Sequence, residues 1–418
     1  MTINHQTDVP AHVRANIVLP YDYLRSFQSF EHPPSALDGL REDYPAFYSN
    51  FYGGYWVLTR YEDIRAVFSD PDVYRQWPDG VPAAPFGGTN IPIHLNPPTH
   101  TVYRKILMPL FTPRRIAKLE ADVRQIARQQ LEKLRNVGRC EFVRDFALTL
   151  PAAMYCSLLG LPLESFRIFN DLSNQIIYGP IVTRRERGEE AGRAVRATAA
   201  KQVRQLLASL MHQRRAEPGD DLIGFLLAAR LDGEKPLTDD EIINIAATFF
   251  YAGTDSTAAA ISYAFLFLAS HPGHRKQLVE HPEYLSHAAE ELLRYNSFHH
   301  IARVVVRDVE LAGVQIKAGD IILLPTGAAN HDHRQYPNAN QVDFSRRPHG
   351  QLSFGGGIHR CIGAGLATLQ VRISLEEVHQ AFPEYQLDPE DPVTYISGTG
   401  KTVPHRLPLL LSPRGCGD

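Results

Sequence analysis

Cysteine is scarce in this chain of 418 residues. Cys140, Cys156, Cys361 and Cys416 are the full set, and no two stand in a C-x-x-C spacing. A structural zinc site and a thioredoxin-like redox motif are therefore not expected, nor is a disulfide scaffold at this length. An excess of either charge is also missing. The 43 basic residues nearly balance the 46 acidic ones, for a formal net charge of -3. Nothing global then favours nucleic acid or an anionic membrane, and any electrostatic docking site has to be a local patch. No run of about 18 uncharged apolar residues occurs. Met1 to Val18 is polar and has no apolar centre, so neither a membrane anchor nor a signal peptide is expected there, and the reading is a cytoplasmic protein.

Hydrophobic residues make up 44% of the chain, ample for a large core. Repeats and low-complexity tracts are absent. Gly53-Gly54 followed by Tyr55-Trp56-Val57-Leu58 reads as a hairpin strand. The Pro- and Gly-rich stretch from Pro71 to Pro98 reads as a long functional loop. The pattern predicts a helix-rich core at about 99–300 and 355–385, with β-rich parts at about 45–65, 303–325 and 385–412, all in one domain, 1–418. Strands gathered at one side of a mostly helical chain make an α+β layout, not alternating βαβ units.

One helix declares itself. Thr238-Asp239-Asp240-Glu241 is a capping box, and small and apolar residues follow to Ser270, where His271-Pro272-Gly273 stops the helix. At 1.5 Å per residue it is roughly 48 Å long, and being apolar on most faces it has to cross the interior. Its middle reads Ala252-Gly253-Thr254-Asp255-Ser256-Thr257. Glycine costs a helix about 1 kcal/mol against alanine. A buried carboxylate costs more unless partnered. Local rules broken together at one place point to function.

The sharpest feature is Phe354-Gly355-Gly356-Gly357-Ile358-His359-Arg360-Cys361-Ile362-Gly363-Ala364-Gly365. Its glycines allow a close approach of backbone to a large flat group and let N–H groups turn toward the sulfur. A helix starting just after Cys361 is expected to lower its pKa.

This spacing resembles the F-x-x-G-x-H-x-C-x-G signature of the cytochrome P450 family, matched at Phe354, Gly357, His359, Cys361 and Gly363. The resemblance implies a mostly α-helical fold with small sheets, and haem b whose iron is bound by the Cys361 thiolate, with Phe354, Gly355 and Gly363 shaping the loop. It implies a soluble bacterial haem-thiolate monooxygenase; the segment from Glu290 to Asp320 resembles the camphor-hydroxylase branch. Glu291-Leu292-Leu293-Arg294 matches the family's E-x-x-R, about 70 residues before the cysteine, and is expected to brace the loop from behind. A further arginine often joins that pair, and Arg346 and Arg347 both stand as candidates. The acid-alcohol stretch of the long helix resembles A-G-x-D/E-T-T. Gly253 is read as leaving room for dioxygen, Asp255 as a proton relay, and Ser256, in place of the commoner threonine, as the hydroxyl that bonds the activated oxygen; Thr257 is able to share that role. The haem propionates are expected to meet His100 and Arg104 of an H-x-x-x-R segment, Arg303 and His359. The branch's aspartate near a propionate is replaced by Ile301.

The family layout puts Phe86, Asn90, Ile91, Tyr178, Thr248, Tyr251, Ala252, Phe298, His299, Ile301 and Val403 around a substrate pocket. That mainly apolar lining suits a terpenoid or an aromatic whose unactivated C–H bond is hydroxylated. Arg104, Lys105, Arg114, Arg115, Lys118 and Arg360 are expected to receive an iron–sulfur ferredoxin, itself reduced by an NAD(P)H-dependent reductase. Two other readings stand beside this one: a peroxide-driven peroxygenase, against which the Asp255-Ser256 pair argues, and a haem-binding sensor without turnover. His299 and His300 invite a metal reading, but no third ligand is evident.

Overall fold

A computed structural model of the chain describes residues 7–23, 33–76, 90–398 and 400–412. Phe86 and Cys416 lie outside these. The helices, in chain order, are α1 (Tyr61–Ser69), α2 (Thr99–Leu107), α3 (Pro113–Leu134), α4 (Thr149–Leu158), α5 (Phe166–Ile177), α6 (Gly179–Arg187), α7 (Glu189–Ala216), α8 (Leu222–Ala228), α9 (Asp239–Ser270), α10 (Pro272–Glu280), α11 (Leu285–Tyr295), α12 (Thr326–Asn330) and α13 (Ala364–Ala381).

The central element is α9, unbroken over 32 residues. The Thr238 hydroxyl accepts from Glu241 N–H and the Glu241 carboxylate reaches back to Thr238 N–H, so both halves of the capping box form. Asp239, Asp240 and Glu241 complement the positive end of the helix. Along its C-terminal half α9 packs into one apolar cluster with α3, α11 and α13. Its N-terminal half packs into a second cluster with α4, α5, α7 and α8. No helix among the described residues is long and apolar enough to cross a membrane.

The largest sheet has β1 (Ala46–Ser49), β2 (Tyr55–Leu58), β3 (Tyr74–Gln76), β7 (His300–Val305) and β10 (Ile321–Pro325) in the order β1-β2-β10-β7-β3. The β2–β10 pair is parallel, with Trp56 opposite Ile322, and the other pairs are antiparallel. Small antiparallel sheets complete the fold. These are β4 (Arg139–Glu141) with β14 (Pro408–Ser412) and β11 (Glu384–Leu387), β5 (Arg230–Leu231) with β6 (Lys235–Pro236), β8 (Val309–Leu311) with β9 (Val314–Ile316), and β12 (Thr394–Gly398) with β13 (Lys401–Arg406). The result is an α+β fold in which helices dominate. The segment after β10 contains α12. The helix after the cysteine begins at Ala364.

Candidate active site

The cysteine loop is shaped by its glycines and pinned by α1. Gly355 and Gly357 have φ of 69° and 59°, in the left-handed region. A Cβ on Gly357 would lie 1.9 Å from the Phe68 carbonyl oxygen, and one on Gly356 3.0 Å from Phe68 Cβ. Only glycine lets α1 come this close. Cys361 N–H donates to Phe354 O at 2.8 Å, closing the loop. Phe354 itself packs against the main apolar cluster. Cys361 opens onto free space, yet its surroundings are tight enough that burial raises its thiol above the usual range. The Gly363 N–H, then Arg104 and Arg360, pull the other way without overcoming it. This corrects the expectation of a lowered pKa from the helix end. Burial outweighs the local donors.

Behind the loop stands a fully buried ion pair. Arg294 Nε and Nη2 donate to the two Glu291 carboxylate oxygens, both at 2.8 Å, and neither side chain is exposed. Arg346, not Arg347, joins the pair, its Nε donating to Glu291 Oε1 at 3.1 Å. Arg294 also donates to the carbonyls of Asn330, Ala339 and Gln341. Asn330 passes the support on. Its Oδ1 accepts from Leu352 N–H at 2.8 Å and its Nδ2 donates to Ser353 Oγ at 2.8 Å, directly ahead of Phe354.

On the other flank four basic groups gather without an acid. His100 of α2 is 2% exposed, and neither of its ring nitrogens has a hydrogen-bond partner among the described residues. Its ring centroid lies 4.1 Å from that of His359, whose Nε2 is likewise unpartnered. Burial, with Arg104 adding to it, lowers His100 to about 4; burial, then His100, Arg303 and Arg104, lowers His359 to about 3. Arg104 Nη2 donates to Arg360 O at 2.5 Å. Arg303 is buried, donates to Gln76 Oε1 at 3.0 Å, and is lowered to about 10 by burial. None of the four pairs with a carboxylate among the described residues. Buried donors left over in this way fit a ligand bearing carboxylates, as the two propionates of a haem do.

The middle of α9 presents two different faces. Ala252 and Gly253 are exposed to open space, and a Cβ on Gly253 would meet nothing within 4 Å. Ser256, half-buried on the same side, donates its hydroxyl to Ala252 O at 2.6 Å, one turn back. Thr257, the next residue, is 4% exposed. Asp255 is 1% exposed. The Tyr178 hydroxyl donates to its Oδ1, and Lys401 forms an ion pair with its Oδ2 that lacks hydrogen-bond alignment. Burial, and after it the Asp255 charge, holds the Tyr178 pKa well above its usual value, so the phenol is a firm donor.

Known proteins resemble this chain in sequence and in structure. The cytochrome P450 family model matches residues 184–407. Mycinamicin IV hydroxylase/epoxidase of Micromonospora griseorubida is 34% identical over 369 residues, 85% of this chain and 89% of that protein. This chain is a cytochrome P450. Among solved structures, cytochrome P450 CYP101C1 superposes with a TM-score of 0.85 at 30% identity, over 96% of this chain and 99% of that one. The cytochrome P450 CREJ, solved in complex with (4-ethylphenyl) dihydrogen phosphate, gives 0.82 at 28% identity, over 94% and 99%. The protein is thus an oxidoreductase of the P450 monooxygenase class, and its cofactor is haem b.

Several residues assigned to the P450 pocket from the sequence stand elsewhere. Thr248 is 3% exposed and donates its hydroxyl to Asn244 O at 2.7 Å, a core position. Phe298 and Val403 are buried in a cluster with Ala259, Tyr263 and Ile396. Ile91 is buried in the cluster around the first half of α9. Asn90 Nδ2 lies 3.4 Å from His94 Nε2. The Tyr178 hydroxyl is committed to Asp255. Tyr251, His299 and Ile301 stay half-buried, and a Cβ on Gly355 would lie 3.5 Å from Ile301 Cδ1, which sets Ile301 over the cysteine loop. Burial, followed by Lys401 and His300, lowers His299 to about 3; burial lowers His300 to about 3 as well, so both are neutral. The described residues contain no group of three metal-ligating side chains. Sequence reading missed Lys401 altogether, as nothing in its own surroundings marks it.

Proposed function

We propose that this P450 hydroxylates an unactivated C–H bond of a small hydrophobic substrate, a terpenoid or an aromatic. It does so in the cytoplasm, with O2 and with electrons from NAD(P)H delivered by a reductase and an iron–sulfur ferredoxin. One observation carries the reading: an open cysteine at the end of a glycine-shaped loop, flanked by four basic groups with no acid of their own.

Cys361 is the iron ligand in this proposal, and His100, Arg104, Arg303 and His359 hold the propionates. Gly355 and Gly363 keep side chains clear of the sulfur side. The haem supplies the iron on which dioxygen is bound and activated. Gly253 leaves space beside the open face of α9. Ser256 holds its hydroxyl one rotation from that space, since its acceptor, Ala252 O, lies on the same face. Asp255 is the relay that hands a proton to Ser256, which passes it inward. Thr257, beside Ser256, is able to share that role. Glu291, Arg294 and Arg346 keep the cysteine loop in position.

The substrate class follows from what remains on the walls. Ala252, Tyr251 and Ile301 are apolar or nearly so, and His299 is uncharged. The aromatic ligand held by CREJ is of the size this reading requires. The donor reading rests on Lys105, Arg114, Arg115, Lys118 and Arg360, all exposed, with Met108 and Ile358 exposed among them. A basic rim around apolar side chains suits a small acidic protein steered by charge, and its association weakens with salt.

The test is a screen of small terpenoids and aromatics against the purified holoenzyme. A hit displaces water from the ferric iron and shifts the haem absorbance. Hits are then turned over with a ferredoxin, its reductase and NAD(P)H, with hydroxylated product expected at the rate of reductant use. Turnover with peroxide but never with reductant and O2 would replace this reading with a peroxygenase.

A further inference from the structure

Gln76 is the last residue of β3 and stands opposite Arg303 of β7 in the antiparallel register, so the two side chains leave the same face of the sheet. Arg303 Nη1 donates to the Gln76 amide oxygen at 3.0 Å. An arginine has no acceptor, so the oxygen of that amide has to face it, and the NH2 group keeps both of its hydrogens for another partner. Among the described residues no acceptor meets that NH2 group. Gln76 is half-buried and its main chain is fixed. Its N–H donates to Asn96 Oδ1 at 2.9 Å, and Asn96 O accepts from His100 N–H at 3.0 Å. The amide is thus tied by its oxygen to Arg303 and, through Asn96, to the start of the helix that carries His100 and Arg104. Ile301, two residues before Arg303 on β7, shares its face of the sheet and offers no polar atom there.

We propose that Gln76 is a further haem-binding residue, its amide NH2 donating to the propionate that Arg303 holds. A carboxylate presents about four lone pairs, and a buried one needs most of them met. Arg303 already gives Nη1 to Gln76 and to the Ala302 carbonyl, so its own hydrogens do not cover the group. The amide serves in both directions. Its oxygen keeps the guanidinium in place beside the Phe68 ring, 5.5 Å from the centroid, and its nitrogen adds a donor next to that cation. The donor is neutral, so it adds no second charge to a buried arginine and needs no proton from solvent before it can act. The inference rests on Arg303 holding a propionate, as in the proposed function.

The contact is read without turnover, by comparing haem b with its dimethyl ester, in which the propionates carry no charge. Full-length parent protein, Gln76→Met, Gln76→Glu and Arg303→Met are loaded with each haem, and transfer of the haem to an excess of apomyoglobin is followed by absorbance. With haem b, Gln76→Met should release the haem about tenfold faster, as loss of one hydrogen bond to a charged group does. Gln76→Glu keeps an acceptor for Arg303, has no hydrogen to donate and sets a like charge against the propionate, so its release should be faster still. It alone decides if Gln76→Met does not fold. With the dimethyl ester, the Gln76 variants should fall back toward the parent's rate. Parent-like release of haem b from the folded Gln76 variants, or the same acceleration with both haems, overturns Gln76 as a propionate ligand. Arg303→Met separates that failure from failure of the site itself. If it speeds release of haem b and not of the ester while the Gln76 variants behave as the parent, the propionate site stands and Gln76 leaves it. If it speeds both haems equally, the propionate site falls, and Gln76 with it.

Discussion

On the cysteine side, polar contacts are short, buried and redundant. Arg294 alone holds a carboxylate and three carbonyls, and two glycines in left-handed conformations leave the loop one path past Phe68. On the α9 side, the carboxylate depends on one tyrosine and one lysine from segments far along the chain, and Ser256 has a single acceptor. The first region is built to stay put, because a metal ligand displaced by a fraction of an ångström loses its function. The second is held by fewer contacts, and in the proposed reading these have to exchange partners for proton delivery.

The contrast is open to attack from its strong end first. Cys361→Ser should abolish the absorbance of the reduced carbon-monoxide complex that a thiolate ligand gives, together with all turnover. A spectrum like the parent's would end the haem-thiolate reading. Arg294→Met removes one half of a fully buried pair, and a loss of about 3–5 kcal/mol is expected in chemical denaturation, with faster haem release. A change below about 1 kcal/mol would mean that the cysteine loop does not depend on this brace. Asp255→Asn keeps the shape and removes the acid. Product formation should fall by roughly a hundredfold or more, the usual weight of general acid catalysis, while the carbon-monoxide spectrum stays the same. Ser256→Ala should have a smaller effect, a shift of reductant from product to peroxide. Coupling equal to the parent's would remove Ser256 from the path.

The same contrast explains what was legible beforehand. The cysteine loop, the Glu291–Arg294 pair and α9 are written in short spacings: glycines around one cysteine, an i,i+3 pair, a capping box closed by Pro272. Each is local, so the sequence carries it whole. The partners of Asp255 are not local. Tyr178 lies 77 residues away, and Lys401 is an ordinary lysine until β13 folds back onto α9. Arg346 and Arg347 are neighbours, and only the packed turn at Pro337 and Asn338, whose carbonyls accept from Arg346, decides between them. Thr248, Phe298 and Val403 went to the pocket in the sequence reading because the family layout puts their segments there, and a layout does not say which side chain of a segment turns into the core.

Acid supplies the finest test of the two regions. His379, in the last turn of the helix that follows the cysteine, is buried in the core, its Nε2 3.0 Å from the Tyr385 hydroxyl, and burial, then Arg275, lowers it to about 3. His299, on the wall above α9, is lowered to about 3 as well. Both histidines are neutral when folded, and an unfolded histidine takes a proton near pH 6.5. Between about pH 6.5 and pH 3 the unfolded chain therefore binds more protons than the folded one, so stability falls with falling pH by up to about 1.4 kcal/mol per unit for each such group. A glutamine at either position cannot titrate and should flatten that slope. If the cysteine side is the rigid half, His379 becomes protonated only on global unfolding, and His379→Gln should change the slope by nearly the full amount. The wall around His299 parts at lower cost, the ring is then protonated before the chain unfolds, and His299→Gln should change the slope by less. Equal changes from the two variants would mean that both regions open together, and the division between a fixed cysteine side and an adjustable α9 side would fail.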